Sequence, residues 1–360
     1  MTKSVGSGQS WPGVIAHYRP LLDLPASARP ITLLEGNTPL IPAPRLADAL
    51  GGGFELWLKY EGMNPTGSFK DRGMTAAMTQ AVHSGARAVI CASTGNTAAS
   101  AAAYAARAGL RCVVIVPEGN IASGKLAGAL AYGAEVVNIG GNFDEGLALV
   151  REAAEKLPIT LVNSVNPYRL EGQKTAAFEI VDTVGEAPEW LCLPVGNAGN
   201  ITAYWMGFKQ YKSIGVAHHT PRLLGVQAAG AAPIVNGEIV AHPETVATAI
   251  RIGNPARWRE ALAALDESGG HILAAPDTEI LDAWRMLSRL EGVFVEPASA
   301  AGIAGLRHRV ANGEIDVRGK RVVCVVTGHG LKDPDIVLQS EAVVVRLDAS
   351  RSALENYLKL

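Results

Sequence analysis

Cysteine is scarce in this chain: four residues in 360, at Cys91, Cys112, Cys192 and Cys324. None stands at the short spacing of a zinc site, and each lies in an apolar, strand-like run such as 322–326, so buried reduced thiols are expected and no metal. The eight histidines form no cluster either, which leaves His329 to structural hydrogen bonding. Charge is sparing: 18% of residues are charged and the formal net charge is −2. No broad basic face for nucleic acid can come from that balance, and a small substrate is favoured over a polyanion. No uncharged apolar run reaches about 18 residues, so no membrane helix is expected. Residues 1–13 lack the order of a secretion signal and read as a flexible arm on a cytoplasmic chain.

Apolar residues make up 48% of the chain, and its length suits about two domains. Short β-branched runs alternate with Ala-rich amphipathic stretches, the pattern of an α/β protein whose mostly parallel sheets are covered by helices on both faces. The runs predict strands at 56–60, 87–92, 111–116, 134–139, 159–163, 190–195, 222–228 and 321–327. Helices are predicted near 71–84, 97–108, 122–132, 143–156, 170–183 and 199–212. No internal repeat is evident.

In such sheets the working loops lie beyond the carboxyl ends of the strands. Four places there are rich in short hydrogen-bonding side chains: Ser93 to Thr97, Asn163 to Asn166, Gly196 to Asn200, and Thr327 to Gly330. A fifth loop, Asn64-Pro65-Thr66-Gly67-Ser68-Phe69-Lys70-Asp71-Arg72-Gly73, delivers a lysine to the start of a helix. Ser68 and Asp71 have the spacing of a capping box, which would put Lys70 in the first turn, where the helix dipole and partial burial lower an amine pKa. A neutral lysine amine can form a Schiff base with an aldehyde. Gly196-Asn197-Ala198-Gly199-Asn200, between an apolar strand and a helix, offers free N–H groups to a phosphate. The aldehyde phosphate that proteins use in this way is pyridoxal 5'-phosphate. The phosphate loop lacks the G-x-G-x-x-G order of a dinucleotide site, and no acidic residue follows about 20 positions on. Gly119 to Leu126 nearly spells the P-loop of a nucleotide binder, but Leu126 stands where a magnesium-binding hydroxyl is required.

Between Glu35-Gly36-Asn37-Thr38-Pro39-Leu40 and Thr327-Gly328-His329-Gly330-Leu331-Lys332-Asp333-Pro334, six ordered segments carry a resemblance: the lysine loop, Ser93 to Thr97, 117–135, Asn163 to Lys174, the phosphate loop and Glu296-Pro297-Ala298-Ser299-Ala300. The chain resembles the fold-type II pyridoxal-phosphate enzymes, the tryptophan synthase β-like group. Within that group Gly-Asn-Ala-Gly-Asn and Thr-Gly-His-Gly-Leu-Lys-Asp-Pro are similar to the threonine synthases, with threonine/serine dehydratases as the alternative. The resemblance implies two open twisted, mostly parallel sheets, a small mobile domain at 75–165 inserted in a large cofactor-binding domain at 1–74 and 166–360, and a homodimer. It implies that Lys70 forms the imine, Asn96 bonds the cofactor's 3'-oxygen, Thr327 faces the ring nitrogen, and Gly196, Asn197, Ala198, Gly199 and Asn200 hold its phosphate. The implied substrate is O-phospho-L-homoserine, which needs a second anion site; Asn163, Ser164 and Arg169 suit its phosphate, and Ser93, Thr94 and Thr97 its carboxylate or phosphate. The matched region begins near residue 31, so activation by S-adenosylmethionine through a long N-terminal domain is not expected.

Overall fold

The computed structural model describes residues 10–117, 123–140, 143–338 and 345–358. Its first half runs α1 (Val14–Tyr18), β1 (Leu40–Pro42), α2 (Pro44–Ala49), β2 (Glu55–Tyr60), α3 (Lys70–His83), β3 (Ala88–Ala92), α4 (Asn96–Ala108), β4 (Arg111–Pro117), α5 (Ser123–Ala131), β5 (Glu135–Ile139), α6 (Phe143–Lys156) and β6 (Ile159–Leu161). The second half continues with α7 (Pro167–Gln173), α8 (Thr175–Val184), β7 (Trp190–Pro194), α9 (Gly199–Ser213), β8 (Arg222–Ala228), α10 (Pro233–Asn236), α11 (Trp258–Ser268), β9 (His271–Ala275), α12 (Asp277–Glu291), α13 (Pro297–Ala311) and β10 (Arg321–Val326).

The strands form two sheets, one in the order β1-β2-β10-β7-β8-β9 and one in the order β5-β4-β3-β6. Every pairing is parallel except β1 with β2. The apolar runs are continuous because both faces of the larger sheet are covered. Along β7, Leu191 and Leu193 point into a core shared with α1, α8, α9 and α11, while Trp190 and Cys192 point into a second core beneath α2, α12 and α13. Met74, Met78, Cys91, Val114 and the alanines of α4 fill a third core on the smaller sheet. All four cysteines are buried and unpaired.

Strand order is what builds the site. β10 lies between β2 and β7, with Val326 opposite Tyr60 and Cys324 opposite Cys192. The lysine loop after β2, Thr327 after β10 and the phosphate loop after β7 therefore leave the sheet side by side. In the smaller sheet β3 pairs with β6, so the turns at Ser93 to Thr97 and after Asn163 also share one end.

Three expectations are corrected. The single helix predicted at 170–183 is two, α7 and α8, and Thr175 Oγ1 donates back to the carbonyl of Gly172 at 2.6 Å beside the break. The arm predicted to reach residue 13 is docked from Trp11, whose indole donates to the carbonyl of Glu35 at 2.8 Å. The capping box does not form: Asp71 instead accepts from the backbone and hydroxyl of Thr66, both at 2.6 Å, and Ser68 Oγ is a distant 3.4 Å from the N–H of Lys70. The near-P-loop of 119–126 lies mostly outside the described residues.

Candidate active site

Lys70 opens α3, as its loop predicted. The loop is held to β10 by Phe69, whose N–H donates to the carbonyl of Thr327 at 3.0 Å. Two residues on, Arg72 enters a wholly buried set of charges, donating to Glu61 at 2.6 Å and to Glu179 at 2.6 Å, while Lys59 reaches Glu179 at 2.7 Å. Two cations and two carboxylates cancel, and the geometry supplies the hydrogen bonds without which such burial is costly. Burial alone would raise the Glu179 carboxyl, but Arg72 and Lys59 outweigh it and hold it at about 2. The first turn of α3 is thereby pinned to β2 and α8.

Burial pushes the Lys70 amine down, the Arg169 guanidinium pushes it further, and Glu296 partly opposes them, leaving it at about 7. It is therefore largely a free amine just above neutrality, the form that attacks a carbonyl. Labelling of the cofactor-free protein at Lys70 by a small aldehyde with borohydride trapping is expected to rise through pH 7, where an ordinary lysine rises near 10. Mass spectrometry of the labelled peptide across pH checks this; a midpoint above 9 would be contrary to it.

The phosphate loop has the build of an anion cradle. Ala198 adopts a left-handed conformation, φ 62°, immediately before α9, which turns successive N–H groups to one side. At Gly196 a Cβ would lie 3.0 Å from the Cα of Ile250, so the backbone is closely approached there. Asn200 is buried and its Nδ2 has no partner. Asn197 is engaged, donating to Ser164 Oγ at 2.7 Å and accepting from the N–H of Ala256 at 2.6 Å.

Asn96 donates through Nδ2 to both carboxylate oxygens of Glu296, at 3.0 and 3.2 Å. Glu296 is itself buried, its carboxyl raised by burial, and a Cβ on Gly328 would stand 2.5 Å from it. Thr327 Oγ1 meets Ser299 Oγ at 2.9 Å. Sequence reasoning quoted the Glu296 to Ala300 motif without giving its residues work; a charged residue before a helix-starting proline in an otherwise apolar stretch was the available signal.

The remaining predicted residues lie in the turns at the carboxyl ends of β3 and β6 and in α7. Ser93 Oγ accepts from the N–H of Gly95 at 3.2 Å, and Thr94 and Thr97 are half-buried in the same turn. Asn163 bonds the backbone of Ala92 in both directions, at 3.0 and 2.9 Å, and so acts mainly as an extension of β3. Arg169 does not pair with Glu171, which takes Lys174 at 2.6 Å. It is 1% exposed, donates from Nη1 to the carbonyl of Val162 at 2.7 Å, and leaves Nε without a partner. Arg257, which the sequence reading passed over, donates to the carbonyls of Ser164 and Val165 at 3.1 and 3.2 Å. Among the described residues no group of three or more His, Cys, Asp or Glu is placed to hold a metal, and no helix is long and apolar enough to cross a membrane.

A free lysine amine beside a phosphate cradle at the carboxyl ends of a parallel sheet defines a pyridoxal-phosphate-dependent enzyme of fold type II. Residues 31–328 match the family described as "Pyridoxal-phosphate dependent enzyme". The chain belongs to that family and, within it, to the threonine synthases. It is 60% identical to the threonine synthase of Synechocystis sp. over 93% of this chain and 87% of that protein. It is likewise 60% identical to that of Mycobacterium leprae over 92% and 91%. Among solved structures, maize serine racemase superposes with a TM-score of 0.72 at 20% identity, covering 96% of this chain and 95% of that one, a likeness of fold.

Proposed function

We propose that the chain is a threonine synthase that converts O-phospho-L-homoserine and water to L-threonine and phosphate. The observation that carries this reading, beside the family, is Arg169: a buried guanidinium on α7, not in the phosphate loop, close enough to Lys70 to push its amine down. A fully desolvated cation suits an anion brought in beside it. Burial holds its pKa down at about 10, so the charge is present at neutral pH. A substrate that carries its own phosphate needs an anion site besides those for its carboxylate and for the cofactor's phosphate, whereas a dehydratase substrate brings only a carboxylate.

Lys70, Asn96, Thr327 and the loop Gly196, Asn197, Ala198, Gly199 and Asn200 fit pyridoxal phosphate by the free amine, the left-handed cradle and the orphaned Asn200 amide. When bound, that group withdraws electrons from the carbons of an attached amino acid, so that protons beside the α- and β-carbons become removable. Lys70, poised near neutrality, takes the α-proton and then a β-proton, and returns protons to the γ-carbon and finally to the α-carbon. The γ C–O bond breaks as phosphate leaves toward Arg169, with Ser164 close by, and water adds at the β-carbon. Ser93, Thr94 and Thr97 lie in the turn that opens α4 and are assigned to the substrate carboxylate or phosphate. Asn163 fixes that turn through Ala92.

Residues 75–165, which contain the smaller sheet, are assigned to a domain that closes on a large domain of 1–74 and 166–360 and excludes water. A homodimer is assigned from the family resemblance. A cytoplasmic location fits the four unpaired buried thiols.

Incubation of the purified holoenzyme with O-phosphohomoserine tests the reading: threonine and phosphate in equal amounts are expected. 2-Oxobutanoate from threonine, or pyruvate from serine, in their place would make it a dehydratase. In Arg169→Gln the KM for O-phosphohomoserine is expected to rise at least about tenfold, with inhibition by inorganic phosphate weakened in step. An unchanged KM would remove Arg169 from the site.

A further inference from the structure

One stripe of α4 carries Asn96, Ser100 and Tyr104, four residues apart and hence one above the other. Each donates to a carboxylate from a different part of the chain. Asn96 reaches Glu296 at the start of α13, Ser100 Oγ reaches Asp71 Oδ1 at 2.6 Å, and the Tyr104 hydroxyl reaches Glu35 Oε2 at 2.8 Å. Arg107, further along the helix, donates to the carbonyl of Thr32 at 3.1 Å. All three acids are buried: Glu35 and Asp71 are 0% exposed and Glu296 is 4%.

The helix does not need these rungs in order to fold. The rest of α4 is almost entirely alanine, the best helix former, and its Ala98, Ala101 and Ala102 already fill the core of the smaller sheet. Buried carboxylates are costly where apolar packing would serve. The three acids come instead from the segments around the site: the loop before β1, the residue next to Lys70, and the motif that faces Lys70.

We propose that Ser100 and Tyr104 are positioning residues for the reaction: with Asn96 they form a three-rung ladder that fixes α4 against Asp71, Glu35 and Glu296 and so sets the place of Asn96 relative to Lys70. The inference rests on the assignment of Asn96 to the cofactor. Two of the acids keep other donors if a rung is cut. Asp71 retains both bonds from Thr66, and Glu35 retains Thr32 Oγ1 at 3.0 Å and the N–H of Leu33 at 3.1 Å. Cutting a rung therefore loosens α4 without stranding a charge.

The test uses holoenzyme with Ser100→Ala, Ser100→Thr and Tyr104→Phe, read by backbone hydrogen exchange, by the visible band of the bound cofactor, and by kcat and KM. In Ser100→Ala the amides of α4 are expected to exchange about tenfold faster than wild type. The cofactor band shifts, kcat falls more than KM rises, and Ser100→Thr restores all three. Should Ser100→Ala not fold, Tyr104→Phe, which keeps the ring packing, carries the same expectations. Exchange and band unmoved in the folded variants would overturn the proposal, as would faster exchange spread evenly over the chain. Loosening of α4 with an unshifted band would also overturn it, because the ladder would then not position Asn96. Absence of any cofactor band from the wild-type protein would sink the cofactor reading, and this one with it, and would be seen separately from the behaviour of the helix.

Discussion

Lys70→Ala is expected to lose turnover by a factor on the order of 10³ or more, since one amine serves both as the carbonyl nucleophile and as the proton carrier. The visible band of lysine-bound cofactor disappears in the variant, yet cofactor remains bound through the phosphate loop, which Lys70 does not build. Lys332 is also partly buried near Glu296, but its chain is occupied against Gly67, where a Cβ would come within 3.1 Å of its Cδ. It is not placed to substitute. The variant also has a signature in the cofactor-free state. The amine titrates near 7 in the fold and near 10.5 in the unfolded chain, so folding expels a proton between those values. The wild-type protein therefore bears the full cost of a buried ammonium below pH 7 and is relieved of it as pH rises toward 10.5. Stability of Lys70→Ala relative to wild type should be most favourable at pH 7 and below and decline above it. Denaturant titrations of the two apoproteins at several pH values check the sign. A relative stability that rises with pH would contradict the buried, depressed amine, and an undiminished cofactor band in the variant would move the imine to another lysine.

The parts of this site that could be read from sequence are those written locally. Runs such as Trp190–Pro194 and 322–326 are apolar at every position because both faces are covered, so they stand out as strands, and the polar loops that follow them mark the site. β1 and β9 escaped for the opposite reason: three residues ending in proline, and a half-exposed edge run containing two alanines, histidine and a single leucine and isoleucine, give no strong pattern. Placement of β10 between β2 and β7 is not local at all. It joins Phe69 to Thr327 across more than half the chain, and no spacing in the sequence encodes it. The same holds for the contact of Asn96 with Glu296, and for Arg169, which donates to the carbonyl of Val162 while the nearby Glu171 takes Lys174. Short motifs carried the identities of the reacting groups; their electrostatics came from tertiary burial.

Arg169 owes its position to two glycines, and from these comes the largest expected effect on stability. Gly73 in α3 and Gly172 in α7 let the two helices touch backbone to backbone. A Cβ on Gly172 would sit 1.7 Å from the carbonyl oxygen of Arg72 and 3.0 Å from the Cα of Gly73. One on Gly73 would meet the carbonyl and Nε of Arg169, both at 2.7 Å. Alanine normally improves a helix interior over glycine by about 1 kcal/mol. At Gly172 that gain is set against an overlap with backbone that cannot rotate away, worth about 3 kcal/mol or more. Gly172→Ala is therefore expected to be strongly destabilised, by a net 2 kcal/mol or more, on the order of the overlap less the propensity gain. Gly128→Ala, in α5, supplies the contrast: the nearest atom is Ala99 Cβ at an ordinary 3.4 Å, so propensity should prevail and stability should rise slightly. Denaturation midpoints of the two variants decide the matter. Whatever fraction of Gly172→Ala folds must do so with α3 and α7 spread apart, which moves Arg169 away from Lys70. Its KM for O-phosphohomoserine should then rise along with its loss of stability, whereas a Gly172→Ala protein as stable as wild type would mean that the helices do not cross as closely as the packing of Gly172 on Arg72 requires.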